Sequence, residues 1–128
     1  MFNNKEKANY NHPTTVIGKD TVLEAGKLNS KASVQVNGTV MGDMHVDTSL
    51  VVGQKGLVEG NISAGFVLVA GKIVGDVEVI NQIHLTKTAV VVGNISYQSI
   101  VIDDGAKIEG NFSVREEISS DQVVTEEY

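Results

Sequence analysis

The feature that most constrains the fold of this chain is a short sequence motif, called the phrase below, that recurs about every seventeen residues. The phrase reads apolar, any residue, Gly, Asp or Asn, apolar, and its glycines are 16, 18, 15, 18 and 17 residues apart. A degenerate first copy, Glu24–Leu28, precedes five clear copies at Val40–Met44, Val58–Ile62, Ile73–Val77, Val91–Ile95 and Ile108–Phe112. Such a repeat predicts a solenoid, in which each unit buries its apolar face only by stacking on its neighbours.

The segments between these phrases have the pattern of short β-strands. Apolar and polar residues alternate with a period of two, as in Val34–Val36 and Val77–Val79, and Val and Ile dominate. Turn-forming clusters such as Asn37-Gly38 and Gln54-Lys55-Gly56 separate the strands, and no stretch of ten residues shows helical spacing. Three strands per repeat predict one triangular coil. Six coils stacked in parallel at about 4.8 Å predict an all-β fold, a parallel β-helix roughly 30 Å long.

The Gly-Asp/Asn pair has a physical role in such a coil. The chain must turn a corner at the same place in every repeat, and Gly adopts a positive φ at little cost. Asp and Asn tolerate such corners and can hydrogen-bond to nearby backbone groups. We therefore expect Asp43, Asn61, Asp76, Asn94 and Asn111 to form one structural ladder.

Composition and charge exclude several classes of function. The 128 residues are enough for one domain and carry a net charge of −6 without a basic stripe, which excludes nucleic-acid binding. The chain contains no cysteine, so disulfides and thiolate-bound metals are excluded. It has no apolar run of about 18 residues and no secretory signal, so we expect a cytoplasmic location.

Composition also divides the chain into three segments. Residues 1–13 are polar and predict a flexible N-terminal arm, and residues 14–113 are the repeats. Residues 114–128 hold five carboxylates against a single arginine and predict a disordered acidic tail.

Catalysis is not expected. β-Helix enzymes of the hexapeptide-repeat type use an imidazole base or three zinc-binding histidines. This chain has His12 in the arm, and His45 and His84 are more than two coils apart. We predict no catalytic residue, no metal and no cofactor. Two alternatives stay open: a β-helix enzyme, and a monomeric binding module that uses the side of the rod.

The two ends of the stack are the strongest functional candidates. Solenoids that remain monomeric cover their terminal units, because an exposed strand edge is a template for pairing. Neither end here has a recognisable cap, and the last phrase carries a phenylalanine where earlier copies have smaller residues. We therefore predict two self-association surfaces, with the alternative that Phe112 only closes the core of its own rod. The C-terminal surface comprises Ile108, Phe112 and Val114, and the N-terminal surface comprises Val16, Ile17, Val22 and Leu23.

The N-terminal arm offers a candidate membrane contact, formed by Met1, Phe2, Lys5 and Lys7. Burying one phenylalanine contributes only about 2–3 kcal/mol, and each lysine adds roughly 1 kcal/mol at best near anionic lipid. Many copies along a polymer would bind by avidity, so this contact depends on self-assembly.

Residues 14–113 resemble bactofilins, which are bacterial cytoskeletal proteins. The likeness lies in Thr15–Gly18 at the start, in Val36–Asp43, and in the later apolar-Glu-Gly-Asn phrases. The resemblance implies a right-handed parallel β-helix that polymerises without nucleotide into non-polar filaments. It also implies attachment to the inner face of the cytoplasmic membrane through a peptide that begins Met-Phe. Roles in cell shape, morphogenesis or motility organelles, together with unidentified client proteins, are implied in the same way.

Overall fold

The computed structural model describes residues 15–114, which form thirteen β-strands and no helix. The predicted arm, residues 1–13, lies outside these residues, as does the predicted tail apart from Val114. The strands are β1 Thr15–Ile17, β2 Val22–Ser30, β3 Val34–Val36, β4 Thr39–Val52, β5 Leu57–Glu59, β6 Ile62–Val69, β7 Lys72–Val74, β8 Val77–Leu85, β9 Val90–Val92, β10 Ile95–Tyr97, β11 Ser99–Ile102, β12 Lys107–Glu109 and β13 Phe112–Val114.

All the strand pairs are parallel, and their registers define a rod with three sides and six coils. This confirms the predicted parallel β-helix. Side 1 stacks residues 15–17, 34–36, 50–52, 67–69, 83–85 and 100–102. Side 2 stacks residues 22–24, 39–41, 57–59, 72–74, 90–92 and 107–109. Side 3 stacks residues 28–30, 44–46, 62–64, 77–79, 95–97 and 112–114.

The core is a narrow column of aliphatic side chains. On side 2 the middle residue of each strand points inward, and Val40, Val58, Ile73 and Val91 are fully buried. On sides 1 and 3 the first and third residues point inward. β-Branched side chains suit this interior because they pack well against the residue one coil above and below.

The irregular repeat length arises partly at the third corner, between side 3 and side 1 of the next coil, which has two or three residues, and mainly at the first corner, between sides 1 and 2. This corner has four residues in coils 1, 3, 5 and 6, and two residues in coils 2 and 4. A hydrogen bond inside the turn closes the longer corners, as where Thr21 N–H donates to the Gly18 carbonyl at 3.1 Å. The extra residues stay within the corner, so the stacking register of the sides is kept.

The second corner, between sides 2 and 3, is built from the repeated Gly-Asp/Asn pair. The glycines in the five clear copies of the phrase have φ values between 142° and 152°. A Cβ on Gly75 would lie 2.1 Å from the Gly60 carbonyl oxygen, so only glycine fits the stack. At this corner β4 continues through Gly42 as one strand, although the turn-forming phrase predicts a break there.

The Asp and Asn residues form the predicted ladder. Each side-chain oxygen accepts a hydrogen bond from the backbone N–H of the ladder residue one coil further on. The four bonds, 3.0–3.1 Å long, join Asn61 to Asp43, Asp76 to Asn61, Asn94 to Asp76 and Asn111 to Asn94. The ladder satisfies backbone donors that the corner takes out of the strand pairing.

Coil 1 departs from this pattern at its second corner. Two residues lie between Glu24 and Lys27, but only one lies between their partners Met41 and Asp43, which makes a bulge. A Cβ on Gly26 would meet no atom within 4 Å, and Lys27 stands in the ladder position without a side-chain acceptor. Coil 1 therefore does not present the corner that the other coils share.

Candidate polymerisation surfaces

The described part of the rod is open at both ends. In coil 1, β1 pairs only with β3 and β2 only with β4. In coil 6, β11, β12 and β13 each pair with one strand of the coil below. Six strand segments within residues 15–114 thus have one edge whose N–H and C=O groups bond to no other described strand. Unpaired edges of this kind are templates for further strands.

The C-terminal end exposes residues that belong to the core by register. Phe112 is 40% exposed, although the residues of coils 2 to 5 in the same row are at most 2% exposed. Val114 is 63% exposed and Ile102 is 44% exposed, and buried residues occupy the same rows further down. Coil 6 therefore ends the rod with an apolar triangular surface, completed by the partly buried Ile100 and Ile108.

The aromatic ring of Phe112 is held in place from below. Its centroid lies 6.2 Å from that of Tyr97, and the ring planes meet at 87°, which is an edge-to-face contact. Tyr97 belongs to coil 5 and packs against the core. The contact fixes part of the ring and leaves the remainder available at the end of the rod.

The predicted N-terminal residues divide into two pairs. Ile17 and Leu23 point inward and pack in the core of coil 1, where Ile17 is only 8% exposed. Val16 and Val22 point outward from sides 1 and 2 and are more than half exposed. Two other inward positions of coil 1 carry the hydroxyl residues Thr15 and Ser30, so this end is more polar than coil 6.

The histidines of the described rod lie far apart in the fold. His45 lies on side 3 of coil 2, and its Nε2 is 3.0 Å from Asp47. His84 lies on side 1 of coil 5, and its Nε2 is 3.1 Å from Asp103. Residues 15–114 contain no cluster of three or more His, Cys, Asp or Glu residues that could hold a metal ion.

A groove with a volume of about 450 Å³ runs along side 3 and the ladder. Its ladder side chains already accept backbone hydrogen bonds, and its other polar residues include His45, Ser63, Glu78 and Ser96.

Residues 15–113 match the family model described as "Bactofilin: Polymer-forming cytoskeletal". The chain belongs to the bactofilin family. The match covers the whole described rod except Val114. Comparison with curated proteins and comparison with solved structures each returned no match.

The bactofilin family is described as polymer-forming, and the open ends of the described rod agree with that description. Bactofilins are a structural, cytoskeletal family, in agreement with the expectation that this chain is a scaffold. Within the described residues no helix is long and apolar enough to cross a membrane. The predicted membrane contact, formed by Met1, Phe2, Lys5 and Lys7, lies outside those residues.

In the bactofilin rod, the C-terminal surface includes two residues that the sequence analysis did not predict. Ile102 occupies the row of the buried Leu85, and Tyr97 supports Phe112. The signal for Ile102 was present, because the triplet Ile100–Ile102 has the same alternation as Ile83–Leu85. Recognising it requires the length of the first corner in each coil.

Proposed function

We propose that this bactofilin is a cytoskeletal scaffold whose rods polymerise end to end, without nucleotide, into non-polar filaments. The observation that carries the proposal is the exposure of core positions on coil 6, above all Phe112. A second rod placed on this end continues the core and covers the open strand edges. The filament is then an extension of the fold.

Covering this end contributes favourable free energy to association. Complete burial of a Phe, Val or Ile side chain contributes about 1.5–3 kcal/mol, and Phe112, Val114 and Ile102 are each about half exposed. Pairing of the open edges adds a smaller net term of about 0.5–1.5 kcal/mol for each hydrogen bond formed. Hydrophobic burial and strand pairing need no nucleotide, which supports spontaneous polymerisation.

The difference between the two ends supports contacts between like ends. In a head-to-tail filament, coil 1 of one rod would follow coil 6 of another. The bulged corner at Gly26 and Lys27 would then lie over Gly110 and Asn111, where every inner coil places a Gly-Asp/Asn pair. Contacts between two C-terminal ends and between two N-terminal ends avoid this mismatch and produce a non-polar filament.

The proposed scaffold lies at the inner face of the cytoplasmic membrane. Met1 and Phe2 would insert into the lipid, and Lys5 and Lys7 would attract anionic headgroups. One such arm binds weakly, so a filament that presents many arms is required for stable attachment. Such a scaffold would position client proteins that determine cell shape, morphogenesis or the assembly of motility organelles.

Electron microscopy of the purified chain at micromolar concentration, without nucleotide or metal, tests polymerisation. We expect long filaments from the unchanged chain and only short oligomers, mainly dimers, from Phe112→Arg, because one of the two end contacts is lost. Ser113→Arg is the matched control, since Ser113 belongs to the same strand but points outward. Long filaments from Phe112→Arg would overturn the proposed C-terminal contact. Dispersed rods from the unchanged chain would favour the monomeric binding module.

Flotation with anionic vesicles in a density gradient tests membrane attachment separately. We expect filaments of the full chain to float with the vesicles, and filaments that lack residues 1–13 to remain at the bottom of the gradient. Phe112→Arg should also bind vesicles weakly although its arm is intact, because avidity is lost. Equal binding by the chain without residues 1–13 would refute the proposed role of the arm.

A further inference from the structure

Side 2 of the rod lies between two edges of opposite charge. The basic edge is the first corner together with the first residue of each side 2 strand. It carries five lysines against three aspartates, namely Lys19, Asp20, Lys55, Lys72, Lys87, Asp103, Asp104 and Lys107. The acidic edge is the third residue of each side 2 strand together with the second corner. It carries five carboxylates against one lysine, namely Glu24, Lys27, Asp43, Glu59, Asp76 and Glu109.

The lysines of the basic edge have no carboxylate partner among residues 15–114. The ion pairs found there join His45 to Asp47 and His84 to Asp103. Lys55, Lys72 and Lys87 are exposed in three consecutive coils. Within residues 15–114, no carboxylate therefore competes for these lysines with the carboxylates of another molecule.

Most uncharged side chains that point outward from side 2 are apolar. Met41 is 38% exposed and Val22 is 60% exposed. Leu57, Val74, Val90 and Val92 are partly buried within the same face. Side 2 thus combines an apolar face with one positive and one negative border, which is the composition of a protein interface with a charged rim.

We propose that side 2 binds side 2 of a second copy, with the two rods side by side and pointing in the same direction. A two-fold axis parallel to the rods exchanges the two edges. The basic edge of each rod then faces the acidic edge of its partner, on both borders of the contact. In an antiparallel arrangement the basic edges would face each other, and so would the acidic edges.

The size of side 2 makes this contact dependent on the filament, and in that respect the inference rests on the proposed function. Six coils at about 4.8 Å and a sheet strip about 10 Å wide provide a few hundred Å² per rod. A stable isolated pair buries about 800 Å² per partner. A single pair of rods is therefore weak, and repetition along two filaments strengthens the contact.

Charge reversal tests the contact while leaving both ends of the rod unchanged. We expect filaments of the unchanged chain to be paired at about 20 mM salt and mostly single above about 300 mM, where screening is short-ranged. Lys55→Glu/Lys72→Glu/Lys87→Glu should form single filaments of normal length at low salt, with the paired fraction at least tenfold lower. The single reversal Lys31→Glu lies away from side 2 and should retain pairing, as a control for position.

Mixing two reversed variants provides the decisive result. Glu24→Lys/Glu59→Lys/Glu109→Lys has two basic edges, and the variant that reverses Lys55, Lys72 and Lys87 (the triple lysine variant) has two acidic edges, so neither should pair alone. Their filaments should pair when mixed. Absence of pairing in the mixture would overturn the proposal, as would low-salt pairing of the triple lysine variant at the level of the unchanged chain. Loss of vesicle binding by the triple lysine variant with pairing retained would assign the basic edge to lipid.

Cross-linking tests the orientation and does not require filaments. The chain has no cysteine, so Val90→Cys and Val92→Cys are specific probes. In the proposed arrangement residue 90 of one rod faces residue 92 of its partner, across a sheet spacing of about 10 Å. A short bis-maleimide should join the two variants when they are mixed at high concentration, and neither alone. Self-linkage of Val90→Cys without mixed linkage would overturn the parallel arrangement, and a lack of filaments would count against the proposed function only.

Discussion

Coil 6 and coil 1 end the same rod but present different surfaces. The five inward positions of coil 6 are Ile100, Ile102, Ile108, Phe112 and Val114, all apolar. The corresponding positions of coil 1 are Thr15, Ile17, Leu23, Leu28 and Ser30, so two of five carry hydroxyl groups. The Ser30 hydroxyl is also engaged locally, since it donates to the Ala32 carbonyl at 2.8 Å.

The second corner separates the two ends further. In coil 6 it keeps the shared geometry, with Gly110 at φ 149° and the Asn111 N–H bonded to Asn94. In coil 1 it is bulged and has no acceptor in the ladder position. The comparison shows that coil 6 ends as an ordinary inner coil with its neighbour removed, whereas coil 1 has diverged from the repeat.

The largest expected effect is the difference in stability between two variants that each add one methyl group at the second corner of an end coil. Gly110→Ala should destabilise coil 6 by about 3 kcal/mol, because its Cβ would overlap the Gly93 carbonyl oxygen and φ is positive. Gly26→Ala should be neutral or stabilising by up to about 1 kcal/mol, since that Cβ meets no atom. Urea unfolding measures both changes.

The free energy of unfolding that Gly110→Ala loses cannot exceed the free energy that coil 6 contributes to the stability of the rod. In a solenoid the last coil can unfold alone, because it contacts only the coil below it. Filament formation should therefore fall together with stability in Gly110→Ala and persist in Gly26→Ala. Equal unfolding free energies for the two variants would show that the two corners do not differ.

Much of this fold was predictable, because the repeated phrase acts locally. Gly42 and its counterparts turn the corner and Asp43 begins the ladder wherever the phrase occurs, so the six coils follow from the sequence alone. The lengths of the first corner did not follow. Two or four residues satisfy the same turn, and only the register of Ile102 on Leu85 shows which side chains reach the end of the rod.

The end surfaces were only partly accessible to sequence reasoning. Phe112 could be identified because it is larger than the residues at the same position in the earlier copies of the phrase. For coil 1 the outward Val16 and Val22 could not be separated from the inward Ile17 and Leu23, because no earlier coil supplies a reference. The charged edges of side 2 could not be predicted, because lysines 15 to 20 residues apart in sequence lie on one edge only once the length of each corner is known.

A smaller effect concerns the relative strength of the two end contacts. Leu23→Arg should leave dimers joined through coil 6, and Phe112→Arg should leave dimers joined through coil 1. Because coil 6 buries more apolar surface, its dimer should have a Kd at least about tenfold lower, equivalent to about 1.4 kcal/mol. Sedimentation velocity over a dilution series measures both values.

The double variant Leu23→Arg/Phe112→Arg is the control and should be monomeric. A tighter dimer from Phe112→Arg than from Leu23→Arg would mean that the more polar, bulged end makes the stronger contact. Retention of filaments by Leu23→Arg would remove coil 1 from the assembly altogether.

The smallest effect sharpens the comparison by making coil 1 resemble coil 6. Thr15 occupies the inward row of Val34 and Leu50, so Thr15→Val replaces a hydroxyl group at the end surface by a methyl group. In the Phe112→Arg background this change should lower the Kd of the remaining dimer two- to fivefold, equivalent to about 0.5–1 kcal/mol. Thr21→Val is the matched control, since Thr21 lies at an exposed corner of the same coil. An unchanged Kd in Thr15→Val would show that this inward row does not reach the contact, and that strand edges alone hold the N-terminal ends together.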